Sequence, residues 1–464
     1  MIFSSIDFLI FFLCYYLFNL IVPASRRNSL IIIGSAIFYS WWIPTNAWVP
    51  FFLILIAFLG YKYLLVVQGQ KRFITLIATL SILYIPLIFF KYLGFIYSGI
   101  LSPIFRLEQR SIEFTIPLGI SFITFTLTSF LVDVYKNKYK EKVSFRHFSA
   151  YILYFPQLIA GPILRPHELI PQLQKQSEFK INFNGIIFPI FIFTIGCLKK
   201  FLFADYISNF VERVFDTNVA NSTLETLLAI YSFSVQIYCD FSGYTDMAIG
   251  ISLMLGINLP ANFLSPYLAT SLVDFWRRWH ITLSNFLRDY IYIPLGGNRN
   301  GLSLQNRNLL ITMLLGGLWH GSSWTFVIWG GIHGLGLILL TLKNKFQENL
   351  LRLPRFLSVF ITFNFVSFAW IFFRAKTYAQ SVKVIKQVLI FDLSEFKQFC
   401  FDNSFPIILI LFFLLTHRWD NWDNLRKLSM KLPLVVYTPL VFVLWLIIIS
   451  FASTSSGAFI YFDF

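Results

Sequence analysis

The sequence predicts an all-α integral membrane protein of roughly nine to twelve transmembrane helices, accompanied by re-entrant or interfacial helices. Three observations carry that expectation. Of the 464 residues, 57% are hydrophobic and 19% aromatic, while only 13% are charged. A soluble domain keeps about a quarter of its residues charged, so this chain has too little polar surface for a water-soluble monomer. Apolar runs recur along its whole length, separated by short loops, and basic residues collect in alternate loops as membrane topology requires. The 56 phenylalanines and 12 tryptophans suit lipid contact and interfacial belts.

Taken in order, the apolar segments are 2–22, 29–43, 48–67, 73–90, 114–132, 185–203, 225–239, 308–320, 323–341, 356–373, 405–417 and 433–452. The first has no basic residue before it and no small-residue cleavage site near its end, so it reads as a retained span. The stretch HFSAYILYFPQLIAGPI, 147–163, is apolar but holds Pro156, Gly161 and Pro162. It reads as a broken or re-entrant helix, tolerable at membrane depth only if protein covers it. Arg26 and Arg27, then Lys71 and Arg72, then the run Lys136 to Arg146 alternate with nearly neutral loops, which places the N-terminus outside the cytoplasm. The acidic loop 205–225 fits the outside and the basic stretch 277–307 the cytoplasm. Lys199 and Lys200, near a span end, read as snorkelling to the interface. With no soluble module and no strong repeat, residues 1–464 read as a single membrane domain.

The net charge of +15 does not form one patch, so topology explains it and nucleic acid is not an expected partner. Four cysteines, Cys14, Cys197, Cys239 and Cys400, lie far apart with no CxxC and no histidine at zinc spacing. Neither a metal site nor a disulfide framework is expected.

The least hydrophobic long segment is 260–307. A helix is readable from 271 to about 290, with Trp276, Trp279, His280, Leu283, Leu287 and Tyr290 as an aromatic and apolar stripe. Asp274 precedes Arg277 and Arg278 at helical pairing distance. Such a concentration of polar residues inside a membrane protein usually marks a site. His320 follows thirteen residues of helix after Arg307, about 20 Å of rise, which sets it well inside a roughly 30 Å core. An imidazole there is either a structural group bonded across helices or a functional one. Gly316, Gly317 and Gly321 beside it permit close approach of a helix or ligand. His280 reads on its own as a packed histidine. His333 is about 20 Å and about 220° away from His320 on a continuous helix, so the two cannot meet without a break, and His333 reads as a supporting or structural residue. The turn PLGGNRNG, 294–301, reads as a surface turn, with phosphate contact by Arg299 and Arg307 as the alternative. Asp240 and Asp246, in CDFSGYTD, either pair with a cation or line a cavity. No GxSxG or Gly-Asp-Ser stretch is present, so a serine hydrolase step would belong to another polypeptide.

At these residues the sequence resembles a known family. The stretches QIYCDFSGYTDMAIGISLMLGINLPANFLSPY, DFWRRWHITLSNFLRDYIYIPLGGNR and GGLWHGSSWTFVIWGGIHG, with FPQLIAGPILRP upstream, resemble the membrane-bound O-acyltransferase (MBOAT) family. Within it they are most similar to the alginate O-acetyltransferase membrane subunits. These motifs occupy about 155–335. The resemblance implies a ring of helices around a central funnel, with His320 catalytic and His280 its functional companion. It further implies acyl-donor or substrate contacts near Trp276, Arg277, Arg278, Asp289, Tyr290, Asn298, Arg299 and Trp319.

By the same resemblance no cofactor is bound, acetyl-CoA or another acyl thioester is the co-substrate, and the acceptor is a cell-envelope polysaccharide such as alginate. Peptidoglycan and teichoic-type polymers are the alternatives. A separate periplasmic acetyltransferase is the implied partner, alongside membrane lipid, with the chain multi-pass in the bacterial inner membrane. The rival from another class is a transporter or flippase for lipid-linked sugars, which a dozen spans and buried polar residues would also suit. A sensory or scaffold role would need a soluble output module, and the short loops offer none.

Overall fold

A computed structural model describes residues 1–108, 112, 114–159, 161–176, 185–217, 222–346, 353–452 and 459–460. All regular elements among them are helical, and each of the twelve apolar segments overlaps a helix. Among the described residues, six helices are long and apolar enough to cross a membrane: Pro44–Val66, Gly69–Tyr92, Ile187–Phe215, Trp324–Lys343, Arg355–Arg374 and Leu434–Ala452. A seventh candidate is the pair Phe396–Asp402 and Ser404–Trp419, bent by 81°. Ile6–Ile21, Phe95–Phe105 and Ile120–Tyr135 are shorter apolar helices. Their exposed side chains are those that suit lipid: Ile21 is 79% exposed, Val66 78% and Val435 84%.

The chain divides into two compact units. One comprises Met1–Phe193 with Tyr244–Pro260. It contains α1 (Ile6–Ile21), α2 (Arg27–Ser40), α3 (Trp48–Val66), α4 (Gly69–Leu87), α5 (Ile120–Tyr135), α6 (Phe145–Leu153) and α7 (Pro166–Gln174). α3 and α4 form a hairpin on which α5 packs. The segment read as broken does break: α6 stops at Leu153, Tyr154 turns out of the helix, and a single turn follows over Phe155–Leu158. Protein covers it, as a non-helical backbone at membrane depth requires. Phe155 is fully buried and its backbone N–H donates to Ser35 Oγ at 3.1 Å, while the Tyr151 hydroxyl donates to the Leu164 carbonyl at 2.7 Å.

The other unit comprises Thr194–Gly243 with Ala261–Phe464. α8 (Ile187–Leu198) leads through a π-helical turn, Lys199–Asp205, into α9 (Tyr206–Phe215). α10 (Thr223–Met254) contributes its residues up to Gly243. Then come two short helices, α11 (Leu272–Arg278) and α12 (Ile281–Leu287), and the hairpin of α13 (Leu302–His320) and α14 (Trp324–Phe346). α15 (Arg355–Arg374) packs on α14, and α16 (Tyr378–Ile390), α17 (Ser404–Thr416), α18 (Trp422–Lys431) and α19 (Leu434–Ala452) complete the unit.

The helix expected over 271–290 is two helices. Trp279 is extended and His280 adopts a left-handed conformation, φ 42° and ψ 56°. The break is held by the preceding loop, where Leu264 N–H donates to the Arg278 carbonyl and Ile281 N–H to the Asn262 carbonyl, both at 3.0 Å. Periodicity hid it because no glycine or proline marks the turn.

Candidate active site

α13 ends on His320. Gly321 is extended, and α14 starts three residues later at Trp324, so the chain folds back on itself. The hairpin is tight at Gly317 and Gly330. A Cβ on Gly317 would collide with the Phe326 carbonyl, and one on Gly330 with that of Met313. This is the close approach the glycines predicted, and the turn supplies the break that His320 and His333 needed.

Both histidines now flank one indole. The Trp329 ring lies 5.1 Å from His320 and 4.9 Å from His333, centroid to centroid. Trp319 plays the same part on the other side, 4.9 Å from His320 and 5.9 Å from His280. The result is an unbroken row of rings, His280–Trp319–His320–Trp329–His333, with Phe373 edge-on to His320 at 5.2 Å. His320 is 3% exposed, and His280 and His333 are fully buried.

The tautomer of His280 follows from its neighbour. Asn262 Oδ1 accepts from the Thr282 backbone N–H at 3.2 Å and from Thr282 Oγ1 at 2.9 Å. A backbone N–H only donates, so the atom facing it is the amide oxygen. His280 Nδ1, 3.2 Å from that same oxygen, therefore carries the proton, and Nε2 carries the lone pair. Burial pushes the imidazole down to about 3. The ring neighbours Phe241, Phe263 and Trp319 are uncharged and offer the cation no counter-charge.

The structure gathers some of the sequence-derived candidates and leaves others apart. His280, Trp319 and His320 form the row, and Trp276 packs on its far end, 5.2 Å from His333 and 5.9 Å from Trp329. Arg278 instead pairs with Asp274 at 2.8 Å, and Asp289 with Arg288 at 2.7 Å. Tyr290 packs at a tilt against Phe286, 4.8 Å between ring centres. Arg277, Asn298 and Arg299 are exposed side chains, unlike the buried histidines, and 294–301 is a surface turn.

Two expectations about charge need correction. Lys199 and Lys200 do not snorkel: both are buried, Lys199 paired with the half-buried Asp420 at 2.6 Å, and Lys200 with the buried Asp205 at 2.8 Å and Asp240 at 2.9 Å. Five residues of α-helix would leave Lys200 and Asp205 about 140° apart; the wider i→i+5 turn makes them neighbours. Asp205 is thus an ion-pair partner and not a charge of the loop 205–225. Asp240, left open between pairing and lining a cavity, pairs. Sequence reasoning also missed Asn262, whose one signal was a polar residue in the turn-forming stretch NLPANF, ten residues ahead of DFWRRWH.

Comparison with known proteins places the chain in a family. The MBOAT, membrane-bound O-acyltransferase family, matches over residues 29–382. The chain belongs to that family. It is 38% identical over 403 residues to a peptidoglycan O-acetyltransferase of Helicobacter pylori, covering 79% of this chain and 75% of that protein. To the probable alginate O-acetylase AlgI of Azotobacter vinelandii it is 35% identical over 393 residues, 81% of this chain and 75% of the relative. A teichoic acid D-alanyltransferase of Bacillus subtilis is 29% identical over 276 residues, 56% of this chain and 69% of that protein. This MBOAT chain is therefore an O-acyltransferase and a multi-pass membrane protein, which displaces the transporter reading.

Proposed function

We propose that the protein takes an acyl group, acetyl above all, from a cytosolic thioester such as acetyl-CoA and passes it across the bacterial inner membrane for O-acylation of a cell-envelope polysaccharide. The row of rings centred on His320 carries this reading. It sets a buried imidazole at the end of α13, in the WHG motif, with a second neutral imidazole one indole away. In the general-base form of the reaction, His320 accepts the proton of the acceptor hydroxyl as its oxygen attacks the thioester carbonyl. The carbon–sulfur bond then breaks, and the imidazolium returns its proton to the leaving thiolate. In the covalent form, His320 nitrogen attacks first, the thiol leaves, and the acyl-imidazole passes its acyl group to the hydroxyl. His280, a neutral Nδ1–H tautomer one indole away, serves in this reading as an orienting group.

The acceptor is the finer question. The relatives named for alginate and for peptidoglycan match over most of the chain, and the teichoic acid relative over about half. Peptidoglycan, the polymer named for the 38% identical relative, therefore stands beside alginate as the acceptor to test. A separate periplasmic acetyltransferase completes the proposed pathway. The test is label transfer from radiolabelled acetyl-CoA in native membranes, followed by recovery of label in purified peptidoglycan or exopolysaccharide. Crosslinking in the same membranes reads the partner; recovery of the protein alone or with copies of itself counts against one.

A further inference from the structure

Packed on Trp279, the residue before His280, lies a network the acyl-transfer chemistry does not use. Lys199 Nζ meets Asp420 Oδ1 at 2.6 Å and stands 5.6 Å from the centre of the Tyr238 ring. The Tyr238 hydroxyl donates to Asp420 Oδ2 at 2.6 Å. Both carboxylate oxygens are thus taken, one by an ammonium and one by a phenol. The same turn is tied a second time, because His417 Nε2 accepts the Tyr267 backbone N–H at 3.2 Å. The Ser265 hydroxyl donates to the Asp420 carbonyl at 3.1 Å. His417 and Asp420 both lie beyond residue 382, where the family match ends.

What this network grips is the left-handed turn. The Tyr238 ring sits 5.5 Å from Phe263 and 6.1 Å from Trp279, and Phe263 packs edge-on to Trp279 at 5.1 Å. Trp279 is fully buried and immediately precedes His280. A non-glycine residue at positive φ persists only where its surroundings over-determine it. Here Asn262 fixes the His280 side from the loop, and Tyr238 with Phe263 fixes the Trp279 side. Anchoring Tyr238 to Asp420 keeps its ring from turning away from Trp279.

We propose that Tyr238, clamped by the Lys199–Asp420 ion pair, is a positioning residue for His280, and that the turn His417–Asp420 is an integral part of the site. The inference rests on the reading of His280 as part of the acyl-transfer machinery, and its test separates the two. Asp420→Asn is the wrong variant, since it strands a buried ammonium and threatens the fold. Tyr238→Phe removes one oxygen and keeps the ring. Tyr231→Phe is its matched control: the same helix, a hydroxyl bonded at 2.7 Å to Asn364, and a ring stacked on Phe363.

Two readouts are taken on both variants in detergent. The first is acetyl transfer from radiolabelled acetyl-CoA, with wild type and His320→Ala alongside. Tyr238→Phe is expected to lower kcat on the order of ten- to a hundred-fold, with KM for acetyl-CoA within two-fold and Tm lowered no more than in Tyr231→Phe, as loss of sub-ångström placement does. Tyr231→Phe keeps wild-type kcat. The second needs no donor: carbethoxylation of His280 by diethyl pyrocarbonate, followed by mass spectrometry. His280 labelling is expected to rise at least ten-fold in Tyr238→Phe, and to stay at the wild-type rate in Tyr231→Phe, with His333 labelling constant. Equal His280 labelling in wild type and Tyr238→Phe, or equal effects of the two tyrosine variants, overturns the proposal. Raised labelling with no His320-dependent transfer in wild type upholds the clamp and sinks the donor reading instead.

Discussion

Replacing Asn262 with alanine removes one side-chain oxygen that three donors share. Asn262 Oδ1 accepts from His280 Nδ1, the Thr282 N–H and Thr282 Oγ1, and Asn262, His280 and Thr282 are all buried. A buried donor left without a partner costs about 1–3 kcal/mol. The three share one acceptor and relax together, so their costs do not add, and a total on the order of 3 kcal/mol is expected. That is comparable with the roughly 1–3 kcal/mol a left-handed non-glycine residue costs, enough to let the His280 turn relax. Asn262→Ala should therefore melt earlier in detergent and transfer acetyl groups at least ten-fold more slowly. Asn262→Asp tests the tautomer argument separately. It keeps an oxygen for Nδ1–H but adds a negative charge, which favours the imidazolium. Its transfer should fall more steeply than the wild-type rate as pH drops from 8 to 6. An Asn262→Ala protein with wild-type melting and wild-type transfer would refute the reasoning.

Three further outcomes follow from the same structure. Burial holds His280 at about 3 in the folded chain against about 6.5 when unfolded, so below 6.5 only the unfolded state takes up the proton. Its contribution is fully present above pH 6.5 and is lost as pH falls toward 3, at up to about 1.4 kcal/mol per pH unit. Detergent melts at pH 7.5 and 5 should thus show a steeper acid loss for wild type than for His280→Gln, and equal slopes would contradict it. Gly317→Ala drives a Cβ into the Phe326 carbonyl and should cost about 1–3 kcal/mol, whereas Gly331→Ala meets only Leu314 Cδ2 at 3.6 Å and should be tolerated in the same melts. Lys200→Met leaves Asp205 and Asp240 without their shared ammonium and should cost about 3–5 kcal/mol. Asp205→Asn keeps the Lys200–Asp240 pair and should cost less; the reverse order in denaturant titration would contradict the assignment.

Much of this architecture was legible because lipid imposes a simple rule on sequence. Every apolar run became a helix, and Pro156, Gly161 and Pro162 marked a broken segment that did break and was buried. His320 stood out because an imidazole at membrane depth is costly, and the glycines beside it pointed to a close approach of helix or ligand, which Gly317 makes to the next helix. What escaped was set by partners remote in sequence. Lys199 resembles a snorkelling lysine until Asp420, more than two hundred residues later, is brought to its side. His280 lies on a plausible helical stripe, and only its bond to Asn262 explains why a non-glycine residue takes the left-handed turn there. His333 was placed far from His320 by counting along a straight helix, and the reversal at 321–323 set both against Trp329.

The central claim is that His320 carries the acyl transfer, and the most direct test is radiolabelled acetyl-CoA supplied to membranes holding wild type or His320→Ala. The account predicts label passing to polymer, or trapped on the protein, with wild type only, while the variant is expressed, extracted and melts like wild type. Undiminished transfer by a folded His320→Ala protein would contradict it.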